Sequence, residues 1–220
     1  MKKSKYTFKK YLFISISILF LTFLGSIFIK TYYHMTPAAH YFRAIELLEK
    51  DQTNQAFTHL ILANKSSESG AKMFSAYRLA QLYHLGEKGF TKNISKAVFY
   101  YEQAADLGMP KAKYNLALLY NTGDKVPENR EKAFQYMKEA AQVMPEAKYV
   151  LAVWMEQGYL GKKNKEEAII LYEQAANAGI QNAMKSLIAI YHMEKEQTQE
   201  NIKREQYWRN RLKGSKNDIS

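Results

Sequence analysis

Four leucines beat time through this chain. Leu79, Leu116, Leu151 and Leu187 stand 37, 35 and 36 residues apart, followed by Ala80, Ala117, Ala152 and Ile188. A period of that length belongs to stacked helix pairs. One such pair cannot bury its apolar face alone, so the repetition predicts a solenoid in which each pair packs against the next.

Other positions keep the same spacing. Four residues after each leucine stand Tyr83, Tyr120, Met155 and Tyr191, and seven after it Gly86, Gly123, Gly158 and Glu194. A glycine just past an apolar-periodic run ends the first helix of a pair, because glycine takes the left-handed conformation without steric cost. A second block follows: Asn93 before Lys96-Ala97, Asn129 before Lys132-Ala133, Asn164 before Glu167-Ala168. Each asparagine is placed to cap the second helix through its side-chain oxygen. The alanine pairs 104–105, 140–141 and 175–176 let helices approach closely, while Tyr100, Tyr101, Tyr136 and Tyr172 fill wider gaps.

These residues resemble the Sel-one-like repeat family, a branch of the tetratricopeptide-like solenoids. The match covers about residues 71 to 193 and is fullest in the unit holding Ala112, Leu116, Ala117, Tyr120, Gly123, Lys132, Ala133, Tyr136, Ala140 and Ala141. It departs at Ser75, where the family usually has alanine, at Met144-Pro145, where it closes on glycine, and at the asparagine caps, where aspartate is common. The fold expected is all-α: a right-handed α-solenoid of stacked antiparallel helix pairs, preceded by one N-terminal transmembrane helix. Upstream, Ala44, Leu47, Leu48, Ala56, Leu60 and Ala63 suggest a further tetratricopeptide-like pair. Downstream, one period beyond Ala168, Tyr172 and Ala175 stand Arg204, Trp208 and Arg211, which reads as a polar cap on the open end.

The segment 11–29 is 19 residues without a charge, nearly long enough at helical rise to cross a hydrocarbon core of about 30 Å. A cleaved signal peptide would have a shorter apolar core with a small-x-small site close behind, and the nearest such site is Ala38-Ala39. A buried core helix would show a polar face, whereas this run offers only Ser15, Ser17, Thr22 and Ser26. An uncleaved anchor is the favoured reading. Lys2, Lys3, Lys5, Lys9 and Lys10 precede it, so the positive-inside rule keeps the N-terminus cytoplasmic and places the solenoid in the periplasm of a bacterial inner membrane. The expected organisation is a basic tail 1–10, an anchor 11–30, a linker 31–40, a helix pair 41–70, repeats at 71–108, 109–144 and 145–179, a degenerate capping repeat 180–213 and a disordered tail 214–220.

Charge is best weighed with the first 35 residues set aside. The whole chain is +11, but the rest carries 26 basic against 21 acidic residues, only +5, which leaves a nucleic-acid surface little support. Lys203, Arg204, Arg209, Arg211 and Lys213 gather near the C-terminus; they read first as a solvated cap and second as a contact for anionic lipid. There is no cysteine, which removes disulfides and thiol chemistry. The histidines at 34, 40, 59, 84 and 192 sit apart in sequence, without metal-ligand spacing, and no glycine-rich loop carries the phosphate-binding lysine. No catalytic group, metal or cofactor is expected.

A solenoid offers a surface instead. On a helical wheel centred on each leucine, the positions two before, two after and five after turn away from the stack. They are Tyr77, Gln81 and His84, then Tyr114, Leu118 and Asn121, then Tyr149, Val153 and Glu156. The resemblance implies that first helices line the concave side, so this stripe is the expected partner-binding face. Tyrosine is common at its position in the family, and the column reads equally as packing between repeats; Leu118 and Val153 tilt it toward binding. The function expected is a membrane-anchored periplasmic adaptor or regulator of an envelope or secretion complex. The alternatives are an immunity protein that neutralises an antibacterial effector toxin and, from another class, a cell-envelope enzyme.

Overall fold

The computed structural model describes residues 35–123, 126–194 and 198–217. The tail 1–10 and the anchor 11–30 lie outside them. Among the described residues no helix is long and apolar enough to cross a membrane.

Everything regular in the described residues is helical, in two compact units divided between Ala71 and Lys72. The first unit holds α1 (Pro37–Glu49) and α2 (Thr53–Asn64), which pack on each other. Thr36 starts α1, its Oγ1 accepting from the Ala39 amide at 3.2 Å, with Pro37 at the first helical position where no amide is needed. Ala44, Leu47, Leu48, Ala56, Leu60 and Ala63 are buried in this hairpin.

The second unit is built from α3 (Ser69–Leu85), which begins just before the division, α4 (Ile94–Asp106), α5 (Pro110–Thr122), α6 (Arg130–Ala141), α7 (Pro145–Gln157), α8 (Lys165–Asn177), α9 (Gln181–His192) and α10 (Gln199–Asn217). The local chemistry is that expected of the repeat. Asn93, Asn129 and Asn164 each accept, through the side-chain oxygen, from the amide three residues on at 2.9, 2.9 and 3.1 Å. Each also closes its loop by donating its own amide to the carbonyl of Tyr83, Tyr120 or Met155 at 2.8 to 3.0 Å. Gly86, Gly123 and Gly158 all lie at positive φ. At Gly86 the restriction is double, because a Cβ would meet the Lys92 amide nitrogen at 3.0 Å.

Within the second unit packing passes from pair to pair. One buried cluster runs from Ala76 to Trp154 and a second from Ala152 to Trp208, with Met155 and Leu171 packed against both. The alanines of each second helix are fully or nearly fully buried, which is what lets α4, α6 and α8 sit close to both neighbours.

The C-terminal end departs from expectation at one point. The tail expected from Gly214 onward is helical through Asn217, and Ser215 Oγ bonds the Leu212 carbonyl at 3.0 Å. One exposed glycine costs about 1 kcal/mol in a helix, too little to end one already propagating.

Candidate partner-binding face

The structure places Tyr77, Gln81, His84, Tyr114, Leu118, Asn121, Tyr149, Val153 and Glu156 in consecutive first helices α3, α5 and α7, every one of them half-buried. The wheel sent them all away from the stack; they sit along its edge. The reason is the tyrosines of the second helices, which reach back across the pair.

In the first repeat Tyr101 is 1% exposed, and its hydroxyl lies 3.3 Å from His84 Nδ1 and bonds Asn115 on the next first helix. Tyr77 packs against the same ring at 5.8 Å and shares Asn115. In the third repeat Tyr172, also 1% exposed, donates to Glu156 Oε2 at 2.7 Å, bonds Ser186 and lies 5.9 Å from the Tyr149 ring. Burial pushes both phenols well above the ordinary tyrosine pKa, so they remain neutral donors. Burial also lowers His84, with Lys92 adding to the effect, which favours a neutral ring able to accept. His84, Glu156 and the inner edges of Tyr77 and Tyr149 are therefore engaged in holding the pairs together.

The middle repeat has none of this. Met137 stands where the others have Tyr101 and Tyr172, Val150 takes the place of Asn115 and Ser186, and Asn121 that of His84 and Glu156. Met137 is fully buried in an apolar contact. A second pair of positions alternates in step. Tyr120 donates to Glu102 Oε1 at 2.9 Å and Tyr191 to Glu173 Oε1 at 3.1 Å, while between them the chain has Met155 and Lys138. Burial and the Glu102 carboxylate together push the Tyr120 phenol up to about 12. These bonded residues escaped the reading of single repeats. The signal that finds them is a 71-residue recurrence: Tyr101 and Tyr172, Glu102 and Glu173, Asn115 and Ser186, Tyr120 and Tyr191.

Within the expected face, Tyr114, Leu118, Asn121 and Val153 lie on adjoining first helices and keep part of their surface open. At the far end, α10 buries Trp208 and presents its charges outward. Arg204 is bonded to Glu200 at 2.8 Å, Tyr191 at 3.1 Å and Glu173 at 3.3 Å; Arg209 pairs with Glu205, and Arg211 bonds Asn177 at 3.1 Å. Of the cations named for lipid contact, Lys203 and Lys213 are exposed, and the three arginines are held by the protein's own carboxylates, phenols and amides. Among the described residues no group of three or more His, Asp or Glu side chains could hold a metal ion. His40 and His59, 19 residues apart in sequence, meet across the α1–α2 hairpin.

Residues 74–109, 110–142 and 145–180 each match the model of the Sel1 repeat. Among solved structures, the chain is similar to a Sel1 repeat protein from Oxalobacter formigenes, at 23% identity over 82% of this chain and 74% of that one, with a TM-score of 0.66. It is similar also to c5321, a protective antigen of uropathogenic Escherichia coli strains displaying an SLR fold, at 22% identity over 74% of this chain and 35% of that one, with a TM-score of 0.66. The chain thus spans about a third of that antigen's length. No curated protein matches it. Likeness at these identities shows the fold, an all-helical solenoid.

Proposed function

We propose that the Sel1 repeats of this chain hold a protein partner along the open edge of α3, α5 and α7, and that residues 11–30 tether the module to a bacterial inner membrane with the repeats in the periplasm. On this reading it acts as an adaptor or regulator within an envelope or secretion complex. One observation carries the choice of face: Tyr114, Leu118 and Val153 keep aromatic and aliphatic surface open on adjoining first helices, while the polar groups beside them, His84 and Glu156, are bonded inward. A half-open apolar strip with aromatic tips suits a partner helix or strand.

A photo-crosslinking residue placed at Leu118 in intact cells is expected to capture a discrete partner, and one placed at Phe99, exposed on the second-helix side, is not. Capture from Phe99 alone would move the binding face. Tyr114→Ala with Leu118→Asp is expected to weaken that capture at least about tenfold, the loss of roughly 1.4 kcal/mol at an interface. A reporter fused after Ser220 is expected to register the periplasmic side; a cytoplasmic signal would remove the tether's assigned orientation.

A further inference from the structure

The 71-residue recurrence that places the buried phenols also duplicates a cleft between second helices. A hollow of about 360 Å³ between α4 and α6 is lined by Asp106, Lys132, Tyr136 and Glu139, with Lys113 of α5. Another of about 430 Å³ between α8 and α10 is lined by Glu173, Asn177, Lys203, Arg204 and Tyr207. Both volumes fall within the range of small-ligand sites. Counting 71 on from Asp106, Lys132 and Tyr136 lands on Asn177, Lys203 and Tyr207. Counting a single repeat on lands on Gln142, Glu167 and Leu171, which reverse the charge of the lysine and remove the ring.

Each of the two clefts therefore offers a phenol ring, an ammonium and a side-chain oxygen. Tyr136 is half-buried, stacked on Tyr120 at 6.1 Å, and Tyr207 is half exposed. The negative face of such a ring attracts polarised C–H bonds. Lys132 and Lys203 are exposed, as are Asp106 and Asn177. Much of the remaining charge is matched within the cleft, where Lys113 pairs with Glu139 at 2.6 Å and Arg204 with Glu173 at 3.3 Å. An anion entering the first cleft would meet Asp106 and Glu139, and a cation entering the second would meet Lys203 and Arg204. A hydroxyl suits both, because it accepts from an ammonium and donates to a carboxylate or amide oxygen. A ring with an apolar C–H face and hydroxyls around its rim answers the whole set.

We propose that the two clefts are subsites for one neutral glycan strand, with a sugar ring laid on Tyr136 and another, further along the strand, on Tyr207. Lys132 and Lys203 donate to sugar oxygens, and the oxygens of Asp106 and Asn177 accept from sugar hydroxyls. Both clefts belong to the same compact unit, from Lys72 onward. Like sites two repeats apart suit a polymer, since a strand long enough to reach both meets the second at high effective concentration once the first is filled. None of the residues involved belongs to the edge of α3, α5 and α7 assigned to a protein partner.

The test is calorimetric titration of the full chain, held in phospholipid nanodiscs without sugar-headed detergent, with dimers and hexamers of glucose and of N-acetylglucosamine. In at least one series the hexamer is expected to bind as one strand to a chain, at least about tenfold tighter than the dimer, because linkage multiplies affinity without new contacts. Tyr207→Ala is expected to bring the hexamer to within about threefold of the dimer, since only one subsite then remains. Lys132→Ala and Lys203→Ala, both at exposed positions where the fold tolerates change, are each expected to weaken the hexamer by at least about threefold. Lys138→Ala, exposed in the step between the clefts, is expected to leave it unaltered. Equal affinity for dimer and hexamer, no binding in either series, or a hexamer indifferent to Lys132, Lys203 and Tyr207 would overturn the proposal. Binding of oligoglutamate in place of the sugars would overturn it too, by making the clefts sites for an acidic peptide.

Discussion

The first and third repeats join their helices through buried phenols, and the second does the same work with a thioether. Tyr101 and Tyr172 are as buried as Met137, yet each tyrosine must bring its hydroxyl to partners on two helices. A buried phenol specifies geometry, because a shifted helix leaves the hydroxyl unpaired; methionine adapts to the space it finds. At this position the fold is thus held by directional bonds in alternate repeats and by an apolar contact in the repeat between them.

The sharpest way to break this comparison is to delete the ring. Tyr172→Ala is expected to lower stability by about 3 to 5 kcal/mol in urea unfolding, the range for removing a large buried ring, whereas Met137→Leu should cost less than about 1.5 kcal/mol. Equal losses would mean that the two kinds of contact are interchangeable. A smaller effect tests the partner rule directly. Met137→Tyr should destabilise by about 1 to 3 kcal/mol, because its hydroxyl arrives opposite Val150, and Val150→Ser in the same chain should recover part of that. A double-mutant cycle with no coupling would show that the alternation is not a bonding rule.

Tyr172→Phe comes next, at about 0.5 to 1.5 kcal/mol, since it removes the hydroxyl and keeps the ring. The least effect belongs to the ion pair within the middle repeat, where Lys113 Nζ lies 2.6 Å from Glu139 Oε2. Lys113→Met should cost about 0.2 to 1 kcal/mol, and the difference should shrink in 1 M salt. Its hydrogen bond holds the Glu139 carboxyl below the usual carboxylate range. The lysine's contribution is therefore present at neutral pH and should vanish as pH falls through that lowered value, measurable by repeating the unfolding in acid.

Much of the fold can be read from single residues because the signals are local. Asn93, Asn129 and Asn164 bond amides three positions away, and Gly86, Gly123 and Gly158 take a backbone conformation that other residues avoid, so neither needs a distant partner to be recognised. The candidate face was legible only as a direction. A wheel drawn on α3 or α7 gives the side on which His84 or Glu156 leaves its helix, but not that a phenol 16 or 17 residues on will meet it. The His40–His59 contact lay further out of reach. The sequence sets His40 in the expected linker 31–40 and His59 in the helix pair 41–70, and only the turn at Lys50 to Gln52 brings them together.

The 71-residue recurrence also bears on how such a chain can lengthen or shorten. Excising 110–144 would set Tyr101 before Val150, leaving its hydroxyl His84 but not the amide of Asn115, and Glu102 before Met155, which has no hydroxyl to donate. Excising 110–180 would set Tyr101 before Ser186 and Glu102 before Tyr191, the same company their counterparts Tyr172 and Glu173 already keep. The inheritable module here is a couplet, and variants gaining or losing an even number of units should refold where odd ones falter.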